Sequence, residues 1–273
     1  MKDLRLRLIP ALIAGTIALY ALQWPIGMVS IIVFAAMGCA LEMYRLSSKI
    51  QPRYRQGFLF INCLMLLYTF YYVLHHAFPE LLPNHALSEI PYGVFSVYII
   101  LLSTLLKRIW LKKALPLINL IYPYIGLFSL VELCFVHHRF EWQPLVVLLL
   151  SIWAADAFAY FIGSNVKGPK LAPSISPNKT ISGWIGGLAG IVLVSWLSMR
   201  FLIDWTWPTL WIWAPVIWLS CSMGDLFESQ IKRLAGVKDS GFFLPGHGGF
   251  LDRLDSLLYS APFAFFILYY LDL

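Results

Sequence analysis

Three polar clusters interrupt an otherwise apolar chain, and their spacing narrows the chemistry they could perform. The first is Ser222-Met-Gly224-Asp225-Leu-Phe-Glu228-Ser229-Gln-Ile-Lys232-Arg233, at the end of an apolar window. If a helix continues through it, Asp225, Ser229 and Lys232 fall at i, i+4 and i+7 and share a face, with Glu228 beside them. A carboxylate at the end of a membrane span is costly unless partnered. Asp225 is therefore either half of a helix-end salt bridge or part of a site. The second cluster runs Lys238-Asp239-Ser240-Gly241, then His247-Gly248-Gly249-Phe250-Leu251-Asp252-Arg253-Leu254-Asp255. Asp252 and Asp255 stand three apart at a predicted helix start, where carboxylates suit the positive end of the dipole. Capping accounts for one of them, but not for both together with Asp225. Gly246, Gly248 and Gly249 let backbone approach a phosphate closely.

The third cluster places Asp156 in a span beside Tyr160, then Ser176-Pro-Asn178-Lys179-Thr180 just ahead of another span. Hydroxyls, an amide and an ammonium there serve equally as a helix cap after a basic loop or as an anion site. Carboxylates without Cys or His in a ligand pattern favour hard cations, chiefly Mg2+. The lysines and arginines beside them favour phosphates. A nucleoside triphosphate carried by Mg2+ to a lipid head group meets both demands.

The elements that position these residues are membrane helices. The chain is 60% hydrophobic and 12% charged, against about 25% charged in soluble domains, and its mean hydropathy is +0.74. The expectation is an all-α, polytopic integral membrane protein. Apolar windows long enough to cross a bilayer fall at about 6–22, 24–44, 58–78, 90–106, 114–136, 144–163, 184–203, 208–227 and 256–272. Nine spans with a cytosolic N-terminus put all of the 20 basic residues except Arg139 and Arg200 on the inner side, as the positive-inside rule requires. The net charge of +6 thus follows topology and does not point to nucleic acid. The division is 1–143, N-terminal transmembrane helices, and 144–273, a catalytic transmembrane region with cytosolic loops 164–183 and 228–255.

The other polar residues read as structural. Cys39, Cys63, Cys134 and Cys221 lie in apolar runs as buried thiols. Trp205, Trp207, Trp211 and Trp213 read as an interfacial belt. His75-His76 and His137-His138 read as interfacial residues without carboxylate partners. Glu42 and Glu132, near helix ends, are expected to reach the interface or a neighbour. A carrier would place its charges near the bilayer midplane, whereas here they gather at one face.

The segment 225–255 resembles the signature of the phosphatidate cytidylyltransferase (CDP-diacylglycerol synthase) family. That signature reads Ser-x-apolar-Lys-Arg, four residues, Lys-Asp, then His-Gly-Gly-apolar-x-Asp-Arg-apolar-Asp, and every position is met. The likeness covers roughly 150–258. The family's Ser-Pro-x-Lys-Thr-x-Glu-Gly is also matched, except that Ser182 replaces the glutamate. The resemblance implies transfer of a cytidylyl group from CTP to phosphatidic acid, in a bacterial inner membrane, by a homodimer surrounded by membrane lipids. It implies Asp225 and Asp252 as Mg2+ ligands, with Asp255 and Asp239 as further candidates for ligand or support. It implies Lys232, Arg233, Lys238, Arg253 and His247 against the phosphates, with Ser229, Gly248 and Gly249 beside them. Ser176, Asn178, Lys179 and Thr180 would form the opposite wall. The alternative is another CTP-dependent membrane enzyme of the polyprenol kinase type.

Overall fold

The computed structural model describes residues 15–17, 19–78, 112–135, 139–241 and 248–270. Among them the helices are α1 (Pro25–Ile50), α2 (Arg55–Ala77), α3 (Leu115–Leu133), α4 (Gln143–Val166), α5 (Ile181–Phe201), α6 (Trp207–Leu234) and α7 (Leu251–Tyr270). A short 3-10 turn, Pro52–Tyr54, links α1 to α2. Five helical segments, Pro25–Ile50, Pro52–Ala77, Gln143–Val166, Ile181–Phe201 and Trp207–Leu234, are long and apolar enough to cross a membrane. The window at 90–106 and most of that at 6–22 lie outside the described residues.

One element departs from the all-α expectation. Lys170–Ala172 (β1) and Ser176–Thr180 (β2) pair antiparallel, with Lys170 opposite Thr180. The chain reverses into this hairpin through Lys167 (φ 58°) and Gly168 (φ 111°). Apolar-window reading misses such a hairpin because three- and five-residue strands of polar residues carry no period-two hydrophobic pattern.

Small residues set how closely the helices approach. A Cβ on Gly190 would fall 2.6 Å from the Ala154 carbonyl, and one on Gly187 would fall 3.2 Å from that of Ala155. The stripe on α5 therefore lies against the backbone of α4, which carries Asp156. Gly224 similarly admits α7: a Cβ there would meet Tyr259, Asp255 and Ser256. The α6 helix has 28 residues, about 42 Å at 1.5 Å per residue, so it outruns a hydrocarbon layer of about 30 Å. Its last turns carry Asp225, Glu228, Ser229 and Lys232 beyond the apolar stretch.

Helix ends gather at one face. Gln51 Nε2 donates to the Lys112 carbonyl at 2.5 Å, joining the end of α1 to the approach to α3. Tyr122 OH on α3 donates to the Asp255 carbonyl on α7 at 3.5 Å. Deeper in the N-terminal helices, Asn62 Nδ2 donates to Asn119 Oδ1 (2.7 Å), and Asn119 Nδ2 donates to Ser47 Oγ (2.6 Å).

Several side chains differ from expectation. Trp205 and Trp213 are buried and pack ring against ring at 4.6 Å; only Trp207 and Trp211 of that group are exposed. Cys63 is exposed on an apolar helix, while the other three thiols are buried. His76 does have a carboxylate partner: its Nε2 lies 3.1 Å from Glu132 Oε1, and Tyr72 OH donates to the same carboxylate. The partner comes from a different helix, so helical spacing could not reveal it. His137 and His138 lie outside the described residues.

Candidate active site

At the gathered helix ends, α4, the hairpin, α5 and α6 enclose a cavity of about 480 Å³. Asp156, Tyr160, Asn178, Lys179, Thr180 and Asp225 are among its lining residues, and Trp184 and Trp218 form an apolar wall. The hairpin reaches the cavity because Thr180 ends β2 and at once caps α5, accepting from Gly183 N at 3.1 Å. That turn aims Lys179 at α6, where its ammonium pairs with Asp225. Ser229, one turn further along α6, donates to Asp225 Oδ1 at 3.3 Å. The predicted i, i+4 face of α6 is therefore realised.

The aromatic wall is held by its polar edges. Trp184 and Trp218 stack at 3.9 Å. Trp184 Nε1 donates to Ser222 Oγ at 2.9 Å, and Trp218 Nε1 donates to the Trp184 carbonyl at 2.6 Å. With both N–H groups satisfied, the indoles present apolar surface beside the charged end of the cavity.

A second charged group lies at the junction of α6 and α7. Lys232 pairs with Glu228, one turn earlier, and donates to Asp252 Oδ1 at 2.6 Å. Asp252 Oδ2 accepts from Ser240 N (2.9 Å) and Gly249 N (2.7 Å). Burial alone would raise the Asp252 carboxyl. Lys232 and the two amides outweigh it and hold that group below the ordinary carboxylate range. The Gly249 amide, read as a phosphate contact, thus donates to Asp252 here, and Gly248 supplies the turn with φ 77°.

The two groups are electrically continuous. Asp225 acts on Asp255 and on Asp156, and Lys179 and Arg253 also act on Asp156. Burial first, and then Asp225, push the Asp255 carboxyl up to about 7. Asp252 accepts three hydrogen bonds against about four lone-pair sites, leaving one open. Among the described residues no three His, Cys, Asp or Glu form a closed metal cage.

The remaining expected residues fall further out. Arg233, Lys238, Asp239 and Arg253 are exposed, and Ser176 lies in β2 outside the cavity lining. His247 lies outside the described residues. Ser182, in place of the family's glutamate, donates to the Lys167 carbonyl and, at 3.2 Å, to Thr180 Oγ1. Sequence reasoning expected Glu42 to reach the interface or a neighbour; the structure gives it the neighbour, at Ser240, Phe250 and Leu251. It is buried at 4% exposure and holds the turn that carries Asp252. The one available signal was a carboxylate inside an apolar window.

Known proteins share this arrangement of sequence. A sequence model of the cytidylyltransferase family matches residues 5–271. A phosphatidate cytidylyltransferase of Bacillus subtilis (strain 168) is 36% identical over 216 residues, 75% of this chain and 76% of the relative. One from Brucella abortus (strain 2308) is 34% identical over 268 residues, 96% of this chain and 92% of the relative. One from Staphylococcus aureus (strain COL) is 47% identical over 116 residues, 41% of this chain and 44% of the relative. Because the family match runs from residue 5 to residue 271, through the hairpin and every helix around the cavity, the chain belongs to the cytidylyltransferase family, a nucleotidyltransferase.

Proposed function

We propose that this enzyme transfers the cytidylyl group of CTP to phosphatidic acid, giving CDP-diacylglycerol and pyrophosphate. The observation that carries the reading is the mixed lining of the cavity, which the Lys179–Asp225 pair and the Trp184–Trp218 stack border together. A substrate joining an anionic head group to an apolar body meets both kinds of surface there.

In this reaction a phosphatidate oxygen bonds to the α-phosphorus of CTP, and the bond from that phosphorus to the α–β bridging oxygen breaks. The bridging oxygen leaves with pyrophosphate. A phosphate monoester has its second pKa near 6, so the nucleophile is largely ionised at neutral pH. The carboxylates are then better suited to holding cations than to accepting protons. Lys179, Lys232 and Arg253 would offset phosphate charge, with Asn178, Thr180 and Ser229 donating hydrogen bonds beside them. Arg233, Lys238, Asp239 and His247 would act from the cytosolic loop 228–255, and Ser176 from the hairpin. Asp225, Asp252 and Asp255 would supply carboxylate ligands for Mg2+, which when bound offsets repulsion between two anions and charge on the departing pyrophosphate.

The membrane setting belongs to the same proposal: nine spans, a cytosolic N-terminus and a cytosol-facing site in a bacterial inner membrane. The positive-inside count supports it, as does the meeting of the Gln51 and Lys112 ends at one face. The homodimer rests on family resemblance. The test is a lipid panel supplied in parallel with CTP labelled in its cytidine and with CTP labelled at its γ-phosphate: cytidine label should pass to phosphatidic acid, giving labelled CDP-diacylglycerol. γ-Phosphate label transferred instead to a polyprenol would carry the kinase alternative.

A further inference from the structure

Glu42 lies on α1, 198 residues before the hydroxyl it meets, and the proposed chemistry does not use it. Its carboxylate accepts from Ser240 Oγ at 2.6 Å, Phe250 N at 2.8 Å and Leu251 N at 2.9 Å. These last two amides belong to the start of α7, where a helix has no carbonyl partners of its own to offer. Glu42 thus caps α7 from another helix. The neighbouring amides are covered in turn: Gly249 N donates to Asp252 Oδ2, and Asp252 N donates to Ser240 Oγ at 3.3 Å. Four consecutive amides are satisfied by Asp252, Glu42 and Ser240.

The fit around Glu42 leaves little room. A Cβ on Gly241 or Gly249 would overlap the Glu42 carboxylate, and one on Gly38 would overlap the Phe250 ring. Phe34 meets Phe250 edge to face at 5.2 Å. Phe34, Gly38 and Glu42 recur every four residues and share a face of α1. That face grips the turn at 248–251, one residue before Asp252.

We propose that Glu42 is a positioning residue for the reaction, fixing through the Ser240 hydroxyl and the α7 amides the place from which Asp252 acts. The inference rests on the reading of Asp252 as part of the reacting site. Glu42 touches neither substrate nor metal in this account.

The test uses the full-length enzyme in detergent, with lipid-dependent pyrophosphate release and hydrogen exchange over 248–256. Glu42→Gln should lower kcat about ten- to a hundredfold, as loss of a group orienting a metal ligand does. KM for CTP should stay within about twofold, since the nucleotide contacts remain. Exchange should quicken at 249–252, and Glu42→Asp, which keeps both acceptor oxygens, should recover part of kcat. Asn62→Ala, which breaks the remote network with Asn119, should lower thermal stability without moving kcat. A folded Glu42→Gln enzyme with wild-type kcat would overturn the proposal. So would a loss of activity that merely tracks stability in both Glu42→Gln and Asn62→Ala. Should Glu42→Gln fail to fold, Ser240→Ala decides: a similar fall in kcat supports the linkage and an unchanged kcat overturns it. Asp252→Asn separates the two readings, because activity retained there would remove the underlying reading itself.

Discussion

Lys232 Nζ lies 2.6 Å from Asp252 Oδ1, tying the end of α6 to the start of α7 across the gap between the two signature halves. The same ammonium pairs with Glu228, which is 1% exposed. One cation therefore serves two carboxylates that are otherwise removed from water.

Removing that cation should be costly. Lys232→Met leaves the buried Glu228 without its cation and Asp252 with only its two amide donors, and breaking a buried pair costs about 3–5 kcal/mol. Thermal unfolding in detergent should show a large loss, and turnover should disappear. Adding Glu228→Gln to Lys232→Met should return part of the stability without returning turnover. A Lys232→Met enzyme as stable as wild type would contradict the pairing.

The Lys179–Asp225 pair should behave in the opposite way. Both side chains are about one-third exposed, and such pairs contribute about 0–1 kcal/mol to stability. A hydrogen bond to a charged group contributes about 1.5–3 kcal/mol, or roughly ten- to a hundredfold in affinity. Lys179→Met should therefore raise KM for CTP by that factor while the unfolding temperature scarcely moves. Lower stability with unchanged KM would assign the pair to structure alone.

The glycine stripe of α5 makes a packing prediction. Gly190→Leu drives a side chain into the Ala154 carbonyl and the Phe158 ring, and overpacking of this kind costs about 1–3 kcal/mol. Because α4 carries Asp156 and α5 follows Lys179 directly, kcat/KM should fall as well. Thermal unfolding and steady-state rates check both halves, and a variant with wild-type values would mean the helices are further apart than described.

Much of this arrangement was legible in the chain. Asp225 and Ser229 meet because a four-residue spacing on a helix places them on one face, and the apolar windows located α2 to α5 within three residues, while α1 and α6 run six and seven residues past theirs because their last turns are polar. What escaped notice depends on tertiary contact. Glu42 finds its partners about 200 residues away, and no local spacing records that. The His76–Glu132 contact joins α2 to α3, and Trp213 is buried because α6 turns it toward Ser151, to which its Nε1 donates at 3.3 Å. The hairpin was hidden because its strands are short and polar.

Ser182 is the departure from the family pattern that a direct exchange can probe. It sits in the first turn of α5, where a carboxylate would suit the helix dipole by about 0.3–1 kcal/mol. Ser182→Glu should therefore fold at least as well as wild type and keep turnover within about threefold, since Thr180 already caps the helix. A rise in kcat above about tenfold would show that the serine limits this enzyme.

The central claim is best tested by Mg2+-dependent pyrophosphate release from CTP by the purified enzyme, with and without phosphatidic acid, alongside Asp225→Asn. Release that requires both the metal and the lipid, and falls at least about a hundredfold in the variant, is the predicted result. Release that ignores the lipid, or survives in Asp225→Asn, would contradict it.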